Sequence, residues 1–423
     1  MKPREKSPLP MKSFLKTARL ALAAAFSAAL LAAAVPVFGQ ANDVVIGGGI
    51  QIDVRQGVCP IKIESDDSAL GGFVQRALKM HGAIDMRSGG NVLTVRVGSR
   101  GGNLFAEGKA FPREILVEGD SDEAKLRLCD EILAAVGKLW GWDLKPLFSK
   151  TKIAFAAGTG AKSEIYTSNL MFRGTRRVTS HGSRSIMPHW DPAGTRLLYT
   201  TYFKSGAADV YSVDLASGVA TRFAAYRNTN TGGAFSPDGK TVALALSARG
   251  PMNIYLAPAA GGSAKILVRD GDTSTSPSFS PDGKTIVFTS GAAGAPRLYT
   301  VPAAGGKKSR IAIPGFSYAT EPAWNPVFPS KIAFCYNRRG KMAVAVYDLK
   351  TGRAFDVGAL TGARRYSHPV WCADGRHLVV TEEVGKSSAL ALVDAGNPDR
   401  AKFTRISPDS LPGACDPDAL ILE

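Results

Sequence analysis

Hydrophobic and polar positions in the second half of the chain repeat in units of about 45 residues. Each unit contains a 13-residue stretch in which an aromatic residue, a polar turn and an apolar, β-branched run follow one another. Successive stretches start 45, 44, 45 and 47 residues apart. Strands and turns at this period predict the blades of a β-propeller. The five stretches are PHWDPAGTRLLYT (188–200), GAFSPDGKTVALA (233–245), PSFSPDGKTIVFT (277–289), PAWNPVFPSKIAF (322–334) and PVWCADGRHLVVT (369–381).

Each part of the repeated stretch has a structural reason. A wide ring at its third position is suited to bury between adjacent blades. The P-D-G element predicts a tight turn, because Pro fixes φ, Asp bonds the backbone and Gly accepts positive φ. Asp238, Asp282 and Asp374 therefore have a turn role and need no catalytic or metal-binding one. The aromatic positions are Trp190, Phe235, Phe279, Trp324 and Trp371.

Two partial units flank the five complete ones. Residues 152–170 resemble the later strands of a blade but lack its leading motif. LPGACDPDAL (411–420) offers the missing strand, with Pro412 placed 43 residues after Pro369. The pattern therefore predicts a ring of six blades, closed by the C-terminal strand pairing within the first blade.

The region before the propeller has a different pattern. Residues 44–55 predict one strand, and residues 91–99 and 114–119 alternate as strands do. Apolar residues at helical spacing predict helices over 67–82 and 120–141, the second with a capping pair formed by Asp120 and Glu123. A small α/β domain is expected, joined to the propeller by an aromatic linker. The predicted fold is mainly β, a six-bladed β-propeller preceded by this domain.

The chain begins with features of an export signal. Lys12, Lys16 and Arg19 precede an uncharged Ala- and Leu-rich run, and cleavage is expected before Gln40, with Met1 or Met11 as the start. An uncleaved membrane anchor is the alternative. The predicted division is 1–39 signal peptide, 40–148 α/β domain and 149–423 propeller, and the predicted location is the periplasm.

Charge and cysteine content narrow the partners. The full chain has net charge +16, and about +11 would remain without residues 1–39. Such a chain attracts acidic surfaces, but no basic-aromatic cluster favours nucleic acid, so envelope partners are expected. Of the five cysteines none forms a CxxC pair. Cys59 and Cys129 either form a disulfide or remain buried free thiols.

These features together resemble the TolB family, the periplasmic component of the Tol-Pal system. The resemblance is carried by the α/β domain, the linker into LFSKTKIAFAA (147–157), the FSPDGK turns and TEPAW (320–324), which resembles the family's inter-blade loop. It implies binding to a Pal-like peptidoglycan-associated lipoprotein and to a TolA-like inner-membrane protein. The resemblance also implies roles in envelope integrity, in outer-membrane constriction at cell division and in protein import. The chain is expected not to span the membrane once the signal peptide has been cleaved.

The segments preceding each repeated stretch are expected to surround one mouth of the central channel. They are rich in Ser, Thr, Asn, Arg and His, and the last of them is predicted at 408–411. Arg184, Arg364 and Arg365 would make this mouth positive and suited to an acidic partner. The predicted partner-binding residues are Arg184, Asn230, Thr231, Thr275, Ser276, Thr320, Glu321, Arg365, Ser367 and His368.

Signatures of catalysis are missing from the sequence. No G-x-S-x-G pentapeptide occurs, and GTGAKS (158–163) has Ala161 where a phosphate loop needs Gly. The five histidines form no HExxH pair, so no metal site and no cofactor are predicted. We expect a binding protein and no enzyme. The alternatives are a propeller that binds a small molecule, a glycan or Ca²⁺ in its channel, and a propeller hydrolase.

Overall fold

The protein is described by a computed structural model over residues 43–46, 50–53, 58–88, 92–248, 250–269, 271–357, 364–396, 401 and 403–422. The predicted signal peptide, 1–39, lies outside the described residues. Residues Asp43–Glu423 belong to one compact unit. Within the described part of the chain, no helix has both the length and the apolar character needed to cross a membrane.

A short hairpin precedes the first domain. Strands β1 (Asp43–Ile46) and β2 (Ile50–Asp53) pair antiparallel, with Ile46 opposite Ile50. The prediction of one strand over 44–55 is therefore wrong.

The α/β domain is a five-stranded sheet with two helices, ordered β4-β3-β5-β6-β7. Strand β3 runs parallel to β4 and β5, and the remaining pairs are antiparallel. The two predicted helices are present, but the sequence analysis missed β3, β4 and β6. The elements are β3 (Cys59–Glu64), α1 (Ser68–Met80), β4 (Ile84–Met86), β5 (Leu93–Arg100), β6 (Asn103–Glu107), β7 (Ile115–Val117) and α2 (Asp122–Trp140).

Polar side chains start both helices. The carboxylate of Asp67 accepts hydrogen bonds from the first turn of α1, including one of 2.9 Å from Ala69 N. Helix α2 is capped by Ser121, whose Oγ accepts from Ala124 N at 3.1 Å. The predicted capping pair of Asp120 and Glu123 is therefore wrong by one residue, because the hydroxyl of Ser121 occupies the N-cap position instead.

The propeller has six four-stranded antiparallel blades, as predicted. Blade one combines β8 (Thr151–Ala157), β9 (Glu164–Asn169) and β10 (Arg176–Arg177) with the last strand, β31 (Cys415–Ile421). Because β31 pairs with β8, the two ends of the propeller share one sheet, which confirms the predicted ring closure.

The other five blades are each formed by four consecutive strands. Blade two has β11 (Ser185–Trp190), β12 (Arg196–Thr201), β13 (Asp209–Asp214) and β14 (Ala220–Ala224); blade three has β15 (Asn230–Phe235), β16 (Thr241–Leu246), β17 (Asn253–Pro258) and β18 (Lys265–Ile266); blade four has β19 (Ser274–Phe279), β20 (Thr285–Ser290), β21 (Arg297–Pro302) and β22 (Ser309–Arg310); blade five has β23 (Thr320–Trp324), β24 (Lys331–Arg338), β25 (Lys341–Asp348) and β26 (Arg353–Asp356); blade six has β27 (Arg365–Trp371), β28 (His377–Val384), β29 (Ser387–Asp394) and β30 (Phe403–Arg405).

Apolar seams between blades hold the wheel together. Trp190 of blade two is buried with Ala154 and Ile165 of blade one. Trp371 of blade six is buried beside Ala333 of blade five and donates its indole N–H to Ala323 O at 3.0 Å. Burying one such side chain is worth roughly 1.5–3 kcal/mol, so the repeated aromatic position contributes to every seam where it is fully covered.

The P-D-G turns have the predicted chemistry. Gly239 has φ 69° and donates its N–H to Ser236 O at 2.8 Å. The carboxylate of Asp238 accepts from Ser236 Oγ at 2.6 Å and from Lys240 N at 3.1 Å. These bonds lower the pKa of Asp238, the bond from Ser236 most of all. Asp238 and Asp282 therefore serve their turns, whereas Asp374 is buried and also bonds the imidazole of His377 at 2.6 Å.

The linker is fastened to helix α2 by a buried carboxylate. Asp130 accepts hydrogen bonds from Leu147 N and Phe148 N, each at 2.9 Å, and from Ser149 N and Oγ at 2.8 and 2.7 Å. Phe148 is fully buried in a core shared by α2, β8 and blade six. Cys59 and Cys129, for which a disulfide was one alternative, are buried free thiols.

Candidate functional site

The innermost strand of every blade carries the same backbone irregularity. In each one the pairing register shifts at a β-bulge near the middle of the strand. The residue at the start of each bulge has positive φ, between 50° and 69°. Six equivalent bulges therefore surround the central axis. The six residues are Met187, Gly232, Ser276, Glu321, His368 and Asp416.

Five of these six residues are not glycine, so the bulges are strained. A non-glycine residue in this region costs about 1 kcal/mol or more unless its surroundings hold it there. Hydrogen bonds to the second strand of the neighbouring blade supply part of that support: Glu321 N donates to Thr289 Oγ1 at 3.1 Å, and Asp416 N donates to Thr381 Oγ1 at 3.0 Å. Backbone strain of this kind is common at functional sites, so the channel is the candidate functional site.

A cavity of about 380 Å³ occupies the channel. All six innermost strands contribute to its wall, and its lining includes every bulge residue. Pro follows the bulge residue in five strands, and because Pro has no N–H the bulge leaves no donor unpaired there. The wall is thus a rigid ring whose side chains line the channel and can contact a molecule that enters it.

Charge is concentrated on one side of this wall. His368 lies between two carboxylates, with Nε2 3.7 Å from Glu321 Oε1 and Nδ1 3.5 Å from Asp416 Oδ1. Its backbone N–H also donates to Glu321 Oε2 at 2.8 Å. Burial lowers the pKa of His368, but the charges of Glu321 and Asp416 outweigh burial, so the pKa is raised above its ordinary value. The ring is therefore readily protonated.

A second histidine faces a third carboxylate on the adjoining innermost strands β11 and β31. His189 Nδ1 is 3.9 Å from Asp418 Oδ1, and Asp418 Oδ2 accepts from Trp190 N at 2.7 Å. Burial lowers the pKa of His189, which keeps that ring neutral, and burial raises the pKa of Asp418. The channel of this basic protein is therefore lined by three carboxyl groups: Glu321 and Asp416 lie beside His368, and Asp418 lies beside His189.

Six of the ten predicted contact residues line the channel cavity. They share positions at or next to the bulges, and all are partly exposed. The structure brings them together from four blades that are distant in sequence. They are Thr231, Thr275, Ser276, Thr320, Glu321 and His368.

Two of the remaining four predicted residues are buried. Asn230 is fully buried, and its amide donates to Ala208 O at 3.0 Å and to Tyr226 O at 2.9 Å, while its Oδ1 accepts from Tyr226 N. Its side chain holds blades two and three together and has no surface for a partner. Ser367 is 9% exposed, with Oγ 3.2 Å from His368 Nδ1, so its role is to position that ring.

The rim outside the channel is basic. Arg184 and Arg365 are exposed on the loops and strand ends of this mouth, whereas Arg364 is paired with Glu382 at 2.9 Å. Beside Arg184 the ring of Phe203, 42% exposed, stacks on His181 with centroids 4.4 Å apart. An exposed aromatic next to cationic side chains is typical of a protein contact surface.

Sequence reasoning missed several channel residues. Met187, His189, Asp416 and Asp418 all line the cavity. The predicted equivalence of Pro412 with Pro369 is wrong, because the bulge places Pro417 there. The mouth segment predicted at 408–411 therefore ends before the strand begins, and TEPAW (320–324) forms the inner strand of blade five where an inter-blade loop was expected.

The comparison with protein families identifies this architecture. A model of the TolB β-propeller domain matches residues 145–410. The chain belongs to the TolB β-propeller family. That match covers the linker and all six blades up to the segment before the closing strand.

Known proteins agree with this assignment. The chain is 42% identical over 60 residues to the Tol-Pal system protein TolB of Francisella tularensis subsp. mediasiatica, covering 14% of each chain. It is 28% identical over 125 residues to the Tol-Pal system protein TolB of Desulfotalea psychrophila, covering 29% of this chain and 27% of that one. These curated relatives are thus matched over less than a third of their length.

A solved structure matches over a greater length. The fold superimposes on TolB of Acinetobacter baumannii with a TM-score of 0.71, covering 86% of this chain and 97% of that one at 18% sequence identity. At this identity the likeness extends to the fold, with the α/β domain and propeller in the same order. What the channel binds has to be argued from its own residues.

Proposed function

We propose that this chain is the periplasmic protein-binding component of a Tol-Pal system and that it is not an enzyme. In this role it links a Pal-like lipoprotein of the outer membrane to TolA-like inner-membrane proteins. It thereby supports envelope integrity, outer-membrane constriction at division and protein import. Membership of the TolB β-propeller family and the names of the curated relatives support this proposal.

The observation that carries the proposal is the ring of six bulges around the channel, five of them strained. A rigid wall with hydroxyl, carboxylate and imidazole groups can accept a projecting loop of a partner without first becoming ordered, which favours affinity. The basic rim outside it, with Arg184 and Arg365, suits an acidic partner surface and increases the rate of encounter. Phe203 offers an apolar anchor beside that rim.

The α/β domain is positioned to communicate with a second partner. Its helix α2 is tied to the linker through Asp130, and its core continues into blades one and six. A force applied to this domain is therefore transmitted to the propeller through packed side chains. We propose that the TolA-like protein contacts this domain, including the region of strands β1 and β2.

Binding to a Pal-like lipoprotein without its lipid anchor tests the proposal. Replacing Thr275, which lines the channel, by Trp fills the cavity and should weaken binding at least about tenfold. Arg365→Ala should slow association and reduce its salt dependence. The matched control is Lys284→Ala, which removes an exposed cation at the turn on the opposite side of the wheel. If the three variants bind alike, or the unaltered chain binds no such lipoprotein, the proposal fails.

The acidic channel favours one second candidate, binding of a cation such as Ca²⁺. Glu321, Asp416 and Asp418 supply the oxygen ligands that hard cations prefer. A calcium titration by calorimetry distinguishes this candidate from the first. Saturable uptake that is lost in Glu321→Gln, without any lipoprotein binding, would favour a ligand-binding propeller.

A further inference from the structure

Three buried side chains meet between helix α1 and blade six. His81 follows the last residue of α1, Asp374 lies in the turn between β27 and β28, and His377 begins β28. Their exposed fractions are 1%, 3% and 0%. Each offers a nitrogen or oxygen ligand atom within 4.8 Å of the other two, and the imidazole centroids are 4.6 Å apart.

The two imidazoles leave buried nitrogens without partners. His377 Nδ1 bonds to Asp374 Oδ2 at 2.6 Å, and Asp374 Oδ1 accepts from Arg376 N and His377 N at 3.0 Å. His377 Nε2 and His81 Nε2 are both buried and have no hydrogen-bond partner. Buried polar atoms almost always have a hydrogen-bond partner or another ligand. These two unpartnered nitrogens therefore indicate a ligand site between the α/β domain and the propeller.

The surroundings hold these groups in place. A Cβ added at Gly82 would lie 2.0 Å from Asp394 Oδ2, so the backbone beside His81 is pressed against blade six. Arg376 is neutralised by bonds of 2.8 and 2.6 Å to Asp394. Asp374 is therefore the carboxylate beside the two imidazoles that has no arginine paired with it in this cluster.

Two cavities reach the cluster. One of about 190 Å³ borders His81 and Asp374 and has Asp143, Lys145 and Lys331 on its wall. Another, of about 300 Å³, borders His81 from the side of the α/β domain. Both are large enough for water, which could supply further ligands beside His81.

We propose that His81, His377 and Asp374 bind one divalent transition-metal ion, with zinc as the best fit, and so fasten the α/β domain to blade six. Imidazole and carboxylate ligands completed by water are a common zinc donor set, whereas Ca²⁺ and Mg²⁺ prefer oxygen ligands alone. Ligation by Asp374 gives up its 2.6 Å bond to His377 Nδ1, because an oxygen held at Nδ1 lies on the far side of the ring from an ion at Nε2.

Binding requires small adjustments. Tetrahedral ligands at about 2.0–2.1 Å from zinc lie about 3.3 Å apart, so ligand atoms now within 4.8 Å of one another must close by up to roughly 1.5 Å. His81 Nδ1 accepts from Ala83 N at 3.2 Å, so coordination through Nε2 moves the imidazole proton to Nδ1 and gives up that bond. The lost bond is at the long end of the usual range, and coordination replaces it.

Cobalt and zinc titrations of the purified full chain without a histidine tag test this site. Co²⁺ should give the visible absorption of a tetrahedral complex, saturating at one ion per chain, and Zn²⁺ should displace it. Zinc should also raise the melting temperature and slow proteolysis in the linker at 141–150. The proposal predicts all of these effects for the unaltered chain after treatment with a chelator.

The variants locate the site. His81→Gln and His377→Gln should each weaken metal binding at least about tenfold, as should Asp374→Asn. His181→Gln is the matched control, since His181 stacks on Phe203 at the channel mouth and should leave binding unchanged. If His377→Gln fails to fold, as judged by circular dichroism, His81→Gln decides the matter. Equal binding by His81→Gln and the unaltered chain, or no saturable binding by the latter, would overturn the proposal.

Discussion

Closure of the wheel by the C-terminal strand can be tested with a single side chain. Leu420 of β31 is 6% exposed and lies in the seam between blades one and two with Trp190 and Tyr199. A Cβ added at Gly194 would lie 2.6 Å from Leu420 Cδ2, so the leucine fills the space beside that turn. Leu420→Ala leaves a cavity at the point where the two ends of the propeller meet.

The expected destabilisation follows from this packing. Leu→Ala at a buried site costs about 2–5 kcal/mol, from lost transfer free energy and from the cavity that remains. Leu420 keeps 6% of its surface exposed, so the site can partly relax around the missing atoms. We therefore expect a loss of about 2–3 kcal/mol in the free energy of unfolding. The residue contacts no proposed partner surface.

Urea unfolding followed by tryptophan fluorescence measures this loss, because Trp190 lies in the same seam. The matched control is Leu116→Ala, since Leu116 is 66% exposed and its loss should change stability by no more than about 0.5 kcal/mol. The same small change in both variants would mean that β31 does not close the ring. The reasoning from the repeat to six blades would then be refuted.

Three further predictions concern other parts of the molecule. Asp130→Ala leaves buried backbone donors without an acceptor, so a denaturant titration should show a loss of about 3 kcal/mol or more in the free energy of unfolding. The control Glu131→Ala removes the exposed neighbouring carboxylate and should change that free energy little. Asn230→Ala should destabilise the propeller by about 2 kcal/mol in a thermal melt, and a loss of partner binding without destabilisation would contradict its assigned role. Burial lowers the pKa of His368, but nearby carboxylates raise it above its ordinary value, so its contribution to stability is present below about pH 6.5 and is lost as pH rises through the folded pKa. An NMR titration should place the His368 pKa lower in Glu321→Gln, and an unchanged value would contradict this account.

The repeat, the turns and the ring closure could be predicted because they depend on local chemistry at a fixed period. Each P-D-G turn determines its own backbone, and the aromatic two residues after the start of each stretch marks a seam. Strand β3 was missed because Pro60 interrupts its alternation, and Ser121 was missed because two acidic neighbours also suit the first turn of a helix.

The bulges were not predictable from residue preferences. Met187, Ser276, Glu321 and His368 adopt a conformation that favours glycine, and only the surrounding strands hold them there. One signal was available: a proline follows each of them, and Asp416-Pro417 repeats that signal in the last strand. An alignment of the repeats on these proline-containing dipeptides would have placed Asp416 and Asp418 of β31 in the channel.

Pairs that meet only through tertiary structure were beyond the sequence analysis. Residues His81 and His377 belong to different domains, and no local motif links them. Asn230 was predicted as a contact residue for its polar side chain, but the loop that it closes uses every hydrogen-bonding atom of its amide. A polar residue before a strand can be hydrated at the surface, can cap the strand through hydrogen bonds or can contact a partner. Its burial in the folded protein distinguishes these roles.

Hydrogen exchange of the chain with and without a Pal-like lipoprotein tests the central claim most directly. Binding at the channel mouth predicts slowed exchange in the inner-strand segments around Met187, Thr231, Ser276, Glu321 and His368, with no change at the turns on the opposite side of the wheel. Protection confined to those opposite turns or to the blade edges would contradict the claim that the bulged ring receives the partner.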